Sequence, residues 1–245
     1  MADVTVEIGG LRTAFVTHTP EVIDVVAHRY AGFLSSDLAD WRIETSVRPE
    51  GLVDLEDVVV RPTGDAGRFA IERHDFVAVL DVAARTGTLA LLEAGALLVH
   101  AASLGRGGRS WMFPGRSGSG KTTLTRLSPD ATLLSDEISI VRLGAVDGAR
   151  CYGSPFWGEL GEAGRNTAVP LTAVHFLRHA DRHATTPLTP RRALEALLPN
   201  VLFFAAEPAL VARVLEVAAA LVERVPCFAL GFRPEASVWE AIHAA

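Results

Sequence analysis

The chain has 245 residues, of which 49% are apolar and 21% charged, a composition typical of a globular protein with a well-packed core. The net charge of −6 argues against a basic surface for non-specific nucleic-acid binding, so we expect no nucleic-acid partner. The two cysteines, Cys151 and Cys227, are too few for a disulfide framework and fit a reducing compartment, where we expect them to be buried apolar side chains.

The two most apolar stretches, residues 89–104 and 211–225, are interrupted by charged or histidine side chains. We therefore expect no membrane span and no membrane partner. The opening MADVTVEIGG is acidic and strand-like rather than basic and then apolar, so we expect no signal peptide. Together these features predict a cytoplasmic protein.

Residues 1–85 predict an N-terminal α+β lobe that is rich in short strands. Two alternating strands, at Val4–Gly9 and 11–18, precede a helix over 21–34 with Thr19 as its N-cap and Pro20 at its first position. Further short strands are expected at 41–48, 55–62, 68–74 and 76–83.

Residues 86–245 predict a nucleotide-binding catalytic domain of mixed sheet and helices. Its first half is expected to contain a short helix at 88–95, strands at Leu97–Leu104 and Ser110–Gly115 joined by the turn GRGG, and a two-turn helix that ends near Ser128–Pro129. The expected order then continues as a strand, an acidic pair and a second strand over 131–143, a strand at 171–179, helices at 191–199 and 208–225, a strand at 225–232, and a helix opened by Pro234.

The stretch GRSGSGKTTLTR, at 115–126, matches the phosphate-binding pattern G-x-x-x-x-G-K-[ST], and it lies between an expected strand and helix. Glycines let backbone N–H groups approach phosphate oxygens, a lysine adds a mobile positive charge, and a threonine hydroxyl can ligate Mg²⁺. We therefore expect these residues to bind a nucleotide: Gly115, Ser117, Gly118, Ser119, Gly120, Lys121, Thr122 and Thr123.

An acidic pair, Asp136 and Glu137, ends the apolar run that follows this loop. Only one short helix, a turn and one strand separate the pair from Lys121, so we expect it on the strand next to the loop, facing the phosphates. One acid can hold Mg²⁺ while the other accepts the proton of an attacking hydroxyl. The alternative is a solvated β-turn, because Ser-Asp is favourable turn chemistry.

Four segments of the chain resemble the HPr serine kinase/phosphorylase family, which shares its core with ATP-type phosphoenolpyruvate carboxykinases. They lie within residues 86–180 and read LLVHAASL, FPGRSGSGKTTLTRL, LLSDEISIV and YGSPFWGE. The chain is most similar to the small stand-alone kinases of peptide-modifying gene clusters, such as lasso-peptide kinases. The segment through which HPr kinases contact HPr is not recognisable, so HPr is not the expected substrate.

The resemblance implies roles for three residues. Asp136 matches the family's proton-accepting Asp, Glu137 matches its second, metal-side acid, and His100 matches the histidine that supports the base. Because Glu replaces Asp at position 137, the division of roles stays open, and Asp136 is a candidate metal ligand as well. Without the resemblance, His100 would be interpreted as a core histidine. Family members form hexamers, so a homo-oligomer is one expectation.

Other polar residues are weaker candidates. The segment Gly153–Glu159 fits either a substrate or nucleotide loop with Glu159 at its tip, or a structural turn filled by its two aromatic side chains. Arg165 is a candidate phosphate contact in the next loop. His175, His179 and His183 would form a metal-binding face on a helix, but the β-rich sequence around them favours a strand and argues against zinc.

These features predict a Mg²⁺-ATP-dependent kinase that phosphorylates a serine-type hydroxyl on a peptide or small protein, with Asp136, His100 and Lys121 as catalytic residues. One alternative is a kinase of a small molecule such as free serine. Another is a regulatory protein that binds ATP without transferring phosphate.

Overall fold

The computed structural model of the chain describes residues 2–17, 20–47, 67–71, 92, 95–144, 148–202 and 208–244. Within them strand outweighs helix, and the fold belongs to the α+β class. The chain divides into two compact units, residues 1–91 and 92–245. Five sequence predictions lie outside the described residues: the Thr19 cap, the strands at 55–62 and 76–83, most of the helix at 88–95, and the boundary near residue 85.

The first unit contains a five-stranded sheet in the order β3-β1-β2-β4-β5. β1 and β2 form an antiparallel hairpin, whereas β2–β4 and β4–β5 are parallel pairs. The elements are β1 (Ala2–Ile8), β2 (Leu11–Thr17), α1 (Pro20–Arg29), a 3₁₀ turn (Ala31–Phe33), β3 (Leu34–Ser35), β4 (Trp41–Val47) and β5 (Gly67–Ile71). The strands expected at 4–9, 11–18, 41–48 and 68–74 are therefore confirmed over the residues that the structure describes.

The helix predicted over 21–34 is wrong at its end, because α1 stops at Arg29. Tyr30 and Phe33 are both buried, at 0% and 1% exposure, so the chain turns inward there instead of continuing the helix. Leu34 then pairs with Val6 as part of β3. Pairing with the sheet, which a local helical pattern does not reveal, sets this boundary.

The second unit contains a nine-stranded sheet whose main path is β10-β9-β6-β7-β11-β14-β12, with β8 and β13 also paired to β6. β7, β11 and β14 run parallel to one another, and the other pairs are antiparallel. The strands are β6 (Ala96–Arg106), β7 (Arg109–Pro114), β8 (Thr132–Ser135), β9 (Ile138–Leu143), β10 (Ala149–Tyr152), β11 (Ala168–His179), β12 (Ala184–Pro187), β13 (Val201–Leu202) and β14 (Cys227–Phe232).

Helices cover both faces of this sheet, and strand alternation divides the core into two clusters. On β6, for example, Val99 packs into one cluster and Leu104 into the other. The first cluster includes side chains of α3 (Pro190–Leu197) and α4 (Pro208–Arg224), and the second includes side chains of α2 (Lys121–Arg126) and α5 (Val238–His243). Cys151 and Cys227 are buried and free, as predicted, and burial raises the pKa of each thiol to about 12.

β6 is the strand that positions the candidate site, because its partners change along its length. On one edge it pairs first with β9 and then with β8, which follow each other in a nearly continuous line. On the other edge it pairs first with β13 and then with β7. Both changes occur at His100–Ala101, where the Ala101 N–H donates to the Glu137 carbonyl and the Gly115 N–H donates to the His100 carbonyl.

The last helix, predicted to open at Pro234, begins four residues later, at Val238. The residues before it form tight turns, in which the Glu235 N–H donates to the Arg233 carbonyl and the Val238 N–H donates to the Glu235 carbonyl. Arg233 and Glu235 also form an ion pair. Residues two apart do not face each other on a helix, so this pairing favours the turn.

Among the helices that the structure describes, none combines the length and the apolar character that a membrane span requires.

His175 is a buried titratable group in the centre of the sheet. It is 0% exposed and stacks between Phe113 and Phe228, with ring centroids 5.9 and 5.1 Å away. Neither ring nitrogen has a hydrogen-bond partner among the described residues. Burial lowers the pKa of His175 to about 4, so the imidazole is neutral at pH 7.

This shift predicts acid-sensitive stability. An unfolded histidine titrates near pH 6.5, so the stabilisation is complete above that pH and is lost progressively as the pH falls towards 4. We expect the free energy of unfolding to fall by about 3 kcal/mol across this window through His175 alone. Urea unfolding of the whole chain, followed by tryptophan fluorescence at several pH values, measures this loss.

His175→Leu should remove this part of the pH dependence, because leucine cannot bind a proton. The control is His28→Gln, which replaces an exposed histidine of α1 and should keep the wild-type dependence. If His175→Leu lost as much stability as the wild type between pH 6.5 and 4, protonation of His175 would not be the cause.

Candidate functional site

The glycine-rich loop connects β7 to α2, as its sequence predicts. Gly115 lies where a Cβ atom would overlap the Ser119 side chain. Gly120 has φ +101°, and a Cβ atom there would lie 2.7 Å from the Phe232 ring. Both the backbone conformation and the close ring therefore require glycine at position 120. These constraints hold the loop in a tight curve in front of β7.

Lys121 is buried beneath this curve at 6% exposure. Its Nζ atom donates hydrogen bonds to the carbonyls of Gly115, at 2.7 Å, and Arg116, at 3.2 Å. Burial lowers the pKa of Lys121, while the nearby carboxylates of Glu137, Glu159 and Asp136 oppose that shift. The ammonium group therefore lies inside the loop with acidic side chains close by.

His100 and Glu137 form a polar pair in front of the loop. The His100 Nε2 and a Glu137 carboxylate oxygen are 3.3 Å apart. Burial and the positive charge of Lys121 lower the pKa of His100, although Glu137 acts in the opposite direction. Lowered from 6.5, this pKa leaves the imidazole mostly neutral at pH 7, so the pair is best described as a neutral histidine beside a carboxyl group.

Asp136 has different surroundings from Glu137. It is 3% exposed, and its two carboxylate oxygens accept hydrogen bonds from the N–H groups of Gly158 and Leu160, each at 3.0 Å. The two acids lie in the bend between β8 and β9, where Asp136 binds backbone amides while the Glu137 carboxylate meets His100. The pair also lies beside β6 rather than beside β7, one strand further from the loop than its spacing suggests.

A cleft of about 550 Å³ joins the loop to the His100–Glu137 pair. Polar side chains and backbone from five separate parts of the chain converge on it. Its lining residues are His100, Ser117, Gly118, Gly120, Lys121, Thr122, Thr123, Glu137, Gly158, Glu159 and His179. Most of the predicted nucleotide-binding residues therefore share one cavity with His100 and one acid of the pair.

The second candidate loop, Gly153–Glu159, has features of both a structural turn and a ligand-binding loop. Phe156 is fully buried and anchors the loop, whereas Gly158 and Glu159 line the cleft. Gly153 allows close backbone packing, because a Cβ atom there would overlap the Arg165 carbonyl. Arg165 itself lies outside the cleft, in a separate cavity of about 280 Å³ beside the β6–β7 turn.

His179 lines the cleft although its sequence position predicts only a weak metal-binding role. Its Nε2 lies 3.1 Å from the Gly118 carbonyl, so it contacts the glycine-rich loop directly. β11 runs parallel to β7, and the carboxyl ends of parallel strands meet at one edge of a sheet. A polar residue ending such a strand could have been found from sequence only if that pairing were known.

Oxygen ligands for a metal ion are present in the cleft, although no three His, Cys, Asp or Glu side chains within the described ranges converge to form a metal site by themselves. The Thr122 hydroxyl and the carboxylates of Glu137 and Glu159 line the same cavity. Mg²⁺ prefers oxygen ligands and is usually held by one or two carboxylates together with substrate phosphates. The residues present therefore fit Mg²⁺ bound together with a nucleotide.

Comparison with known protein families identifies a family for this chain. No curated protein matches it. A family model described as SynChlorMet cassette protein ScmC matches residues 78–245, which contain the whole candidate site and more than half of the chain. The chain therefore belongs to the SynChlorMet cassette protein ScmC family.

Proposed function

We propose that this protein is a Mg²⁺-ATP-dependent kinase of the HPr kinase-like type, which transfers the γ-phosphate to a serine-type hydroxyl of a peptide or small protein. The observation that carries the proposal is the convergence of the glycine-rich loop, Lys121 and the His100–Glu137 pair on one cleft. A phosphate-binding loop alone serves many activities. A loop that shares its cavity with an acid–base pair fits phosphate transfer.

The nucleotide is bound mainly by the loop. Its glycines leave backbone N–H groups close to the cavity, and the Lys121 ammonium adds positive charge for the phosphates. Lys121 exchanges its contacts with the loop carbonyls for contacts with phosphate oxygens. The cavity, about 550 Å³, lies within the usual size range of small-ligand sites.

The acid side chains serve the metal and the acceptor. When bound, Mg²⁺ would neutralise phosphate charge; the Thr122 hydroxyl and the carboxylate of Glu137 or Glu159 would hold it, which leaves the other carboxylate for the proton of the acceptor. In the transfer step the acceptor oxygen forms a bond to the γ-phosphorus, and the bond from that phosphorus to the β–γ bridging oxygen breaks. The hydroxyl proton passes to a carboxylate of the cleft, and ADP leaves.

A peptide or small-protein acceptor is favoured over a small molecule by the resemblance of the chain to stand-alone peptide kinases. The matching family is also named for a cassette, which fits an enzyme that acts on the product of a neighbouring gene. A regulatory protein that only binds ATP is disfavoured, because a sensor does not need a histidine–carboxyl pair beside its phosphate loop.

Nucleotide binding should depend on Lys121. Lys121→Ala removes charge-assisted hydrogen bonds to phosphate oxygens, so we expect the Kd of ATP with Mg²⁺ to rise roughly 10- to 100-fold. The matched control is Arg126→Ala, which removes one positive charge from an exposed position on the same helix, outside the cleft. It should change the Kd by no more than about twofold. Isothermal titration calorimetry measures both variants, and equal effects would contradict a specific role for Lys121.

Phosphate transfer should require an acceptor with a serine-type hydroxyl. We expect γ-labelled ATP to label short synthetic peptides that contain serine, but not the same peptides with every Ser replaced by Ala. Label in free serine instead would support the small-molecule kinase. Binding of ATP without label in either acceptor would support the regulatory protein and contradict the proposed activity.

A further inference from the structure

Asp136 is placed to organise a loop rather than to react. Both of its carboxylate oxygens are used, one by the Gly158 N–H and the other by the Leu160 N–H, each at 3.0 Å. The side chain is 3% exposed and is not among the residues that line the cleft. The two backbone N–H donors stabilise the ionised carboxylate, and a buried side chain outside the cleft lining is poorly placed to take a proton from an acceptor hydroxyl. These contacts disfavour Asp136 as a proton acceptor.

The two amides that Asp136 binds flank one residue, Glu159, which lines the cleft. The same loop is fixed on its other side by Phe156, which is fully buried and whose N–H donates to the Ser154 hydroxyl at 3.2 Å. Gly158 packs so closely on Glu137 that a Cβ atom would lie 2.7 Å from the Glu137 carboxylate. Glu159 therefore enters the cleft from a backbone that is held at several points.

We infer that Asp136 is a positioning residue, which clamps the amides on either side of Glu159 and so fixes that carboxylate in the cleft opposite the His100–Glu137 pair. This inference rests on the proposed function. It assigns the proton acceptor to Glu137, supported by His100, and the second acidic role, towards the metal, to Glu159. The two acids that act in the reaction, Glu137 and Glu159, then come from different loops. Asp136, which is adjacent to Glu137 in sequence, holds the loop that carries Glu159.

The structural part of the inference can be tested without any activity. Asp136→Asn keeps the size of the side chain but replaces one acceptor oxygen by an NH₂ group, which cannot bind a backbone N–H. We expect amide hydrogen exchange, measured by NMR, to become about 10-fold faster or more at whichever of Gly158 and Leu160 loses its acceptor, as for loss of a hydrogen bond to a charged group. The matched control is Glu137→Gln, the same chemical change one residue later, which should leave both amides protected.

The catalytic part is tested by a double-mutant cycle in the phosphate-transfer assay. If Asp136 acts through Glu159, Asp136→Asn and Glu159→Gln should each lower kcat, by roughly 10- to 100-fold, with the Kd of ATP changed far less than by Lys121→Ala. The double variant should be no slower than the slower single variant. Glu137→Gln should lower kcat as well, and its effect should multiply with that of Asp136→Asn.

Several outcomes would overturn the inference. Unchanged exchange at Gly158 and Leu160 in Asp136→Asn would contradict the clamp, whatever the activity. Multiplicative losses for Asp136→Asn and Glu159→Gln would show that Asp136 does not act through Glu159. Asp136→Asn could be measured only if it folded, but Glu159 is exposed and its replacement does not disturb the core. A wild-type kcat in Glu159→Gln would therefore refute the role of Glu159 by itself. If the wild type transferred no phosphate but the exchange changed as expected, the proposed function would fail while the clamp remained.

Discussion

The candidate site depends on one strand, β6, and on its change of partners at His100–Ala101. At this point the Gly115 N–H bonds to one edge of the strand and the Glu137 carbonyl bonds to the other. The glycine-rich loop and the acidic pair therefore leave the sheet on either side of the same residue. Because an extended strand has fixed dimensions, His100 has little freedom to move relative to either of them.

Charge balance is the second feature of the site. Lys121 is buried with its Nζ bound to two loop carbonyls, and burial lowers its pKa. The acids around it partly oppose this shift, and burial together with the positive charge of Lys121 lowers the pKa of His100. A neutral imidazole can share a hydrogen bond with a carboxyl group without adding a second positive charge beside the lysine. The Lys121 ammonium, at the phosphate loop, therefore carries positive charge in the cleft, while His100 is mostly neutral.

Much of the fold could be predicted from local sequence pattern. The strand β1 was found from its alternating apolar residues, the central strands β6, β7, β9, β11 and β14 from short apolar runs, and α4 from apolar residues that recur with a helical period. The misplaced boundaries lie at residues 29–34 and 234–238, where sheet pairing and tight backbone turns take the place of the expected helix. The short strands β3, β10, β12 and β13 were missed because only their partners, distant in sequence, make them strands.

The sequence by itself determined the chemistry available to this protein: a glycine-rich loop with Lys121, an acidic pair, and a histidine on a strand before them. These are local patterns, fixed by residue type and spacing. Only the tertiary structure decided which of them meet. It brought Glu137, Glu159 and His179 into the cleft, and it placed Asp136 against backbone amides and Arg165 in another cavity. The reason is that strand pairing and the packing of the loops between strands, rather than distance along the chain, decide which side chains meet.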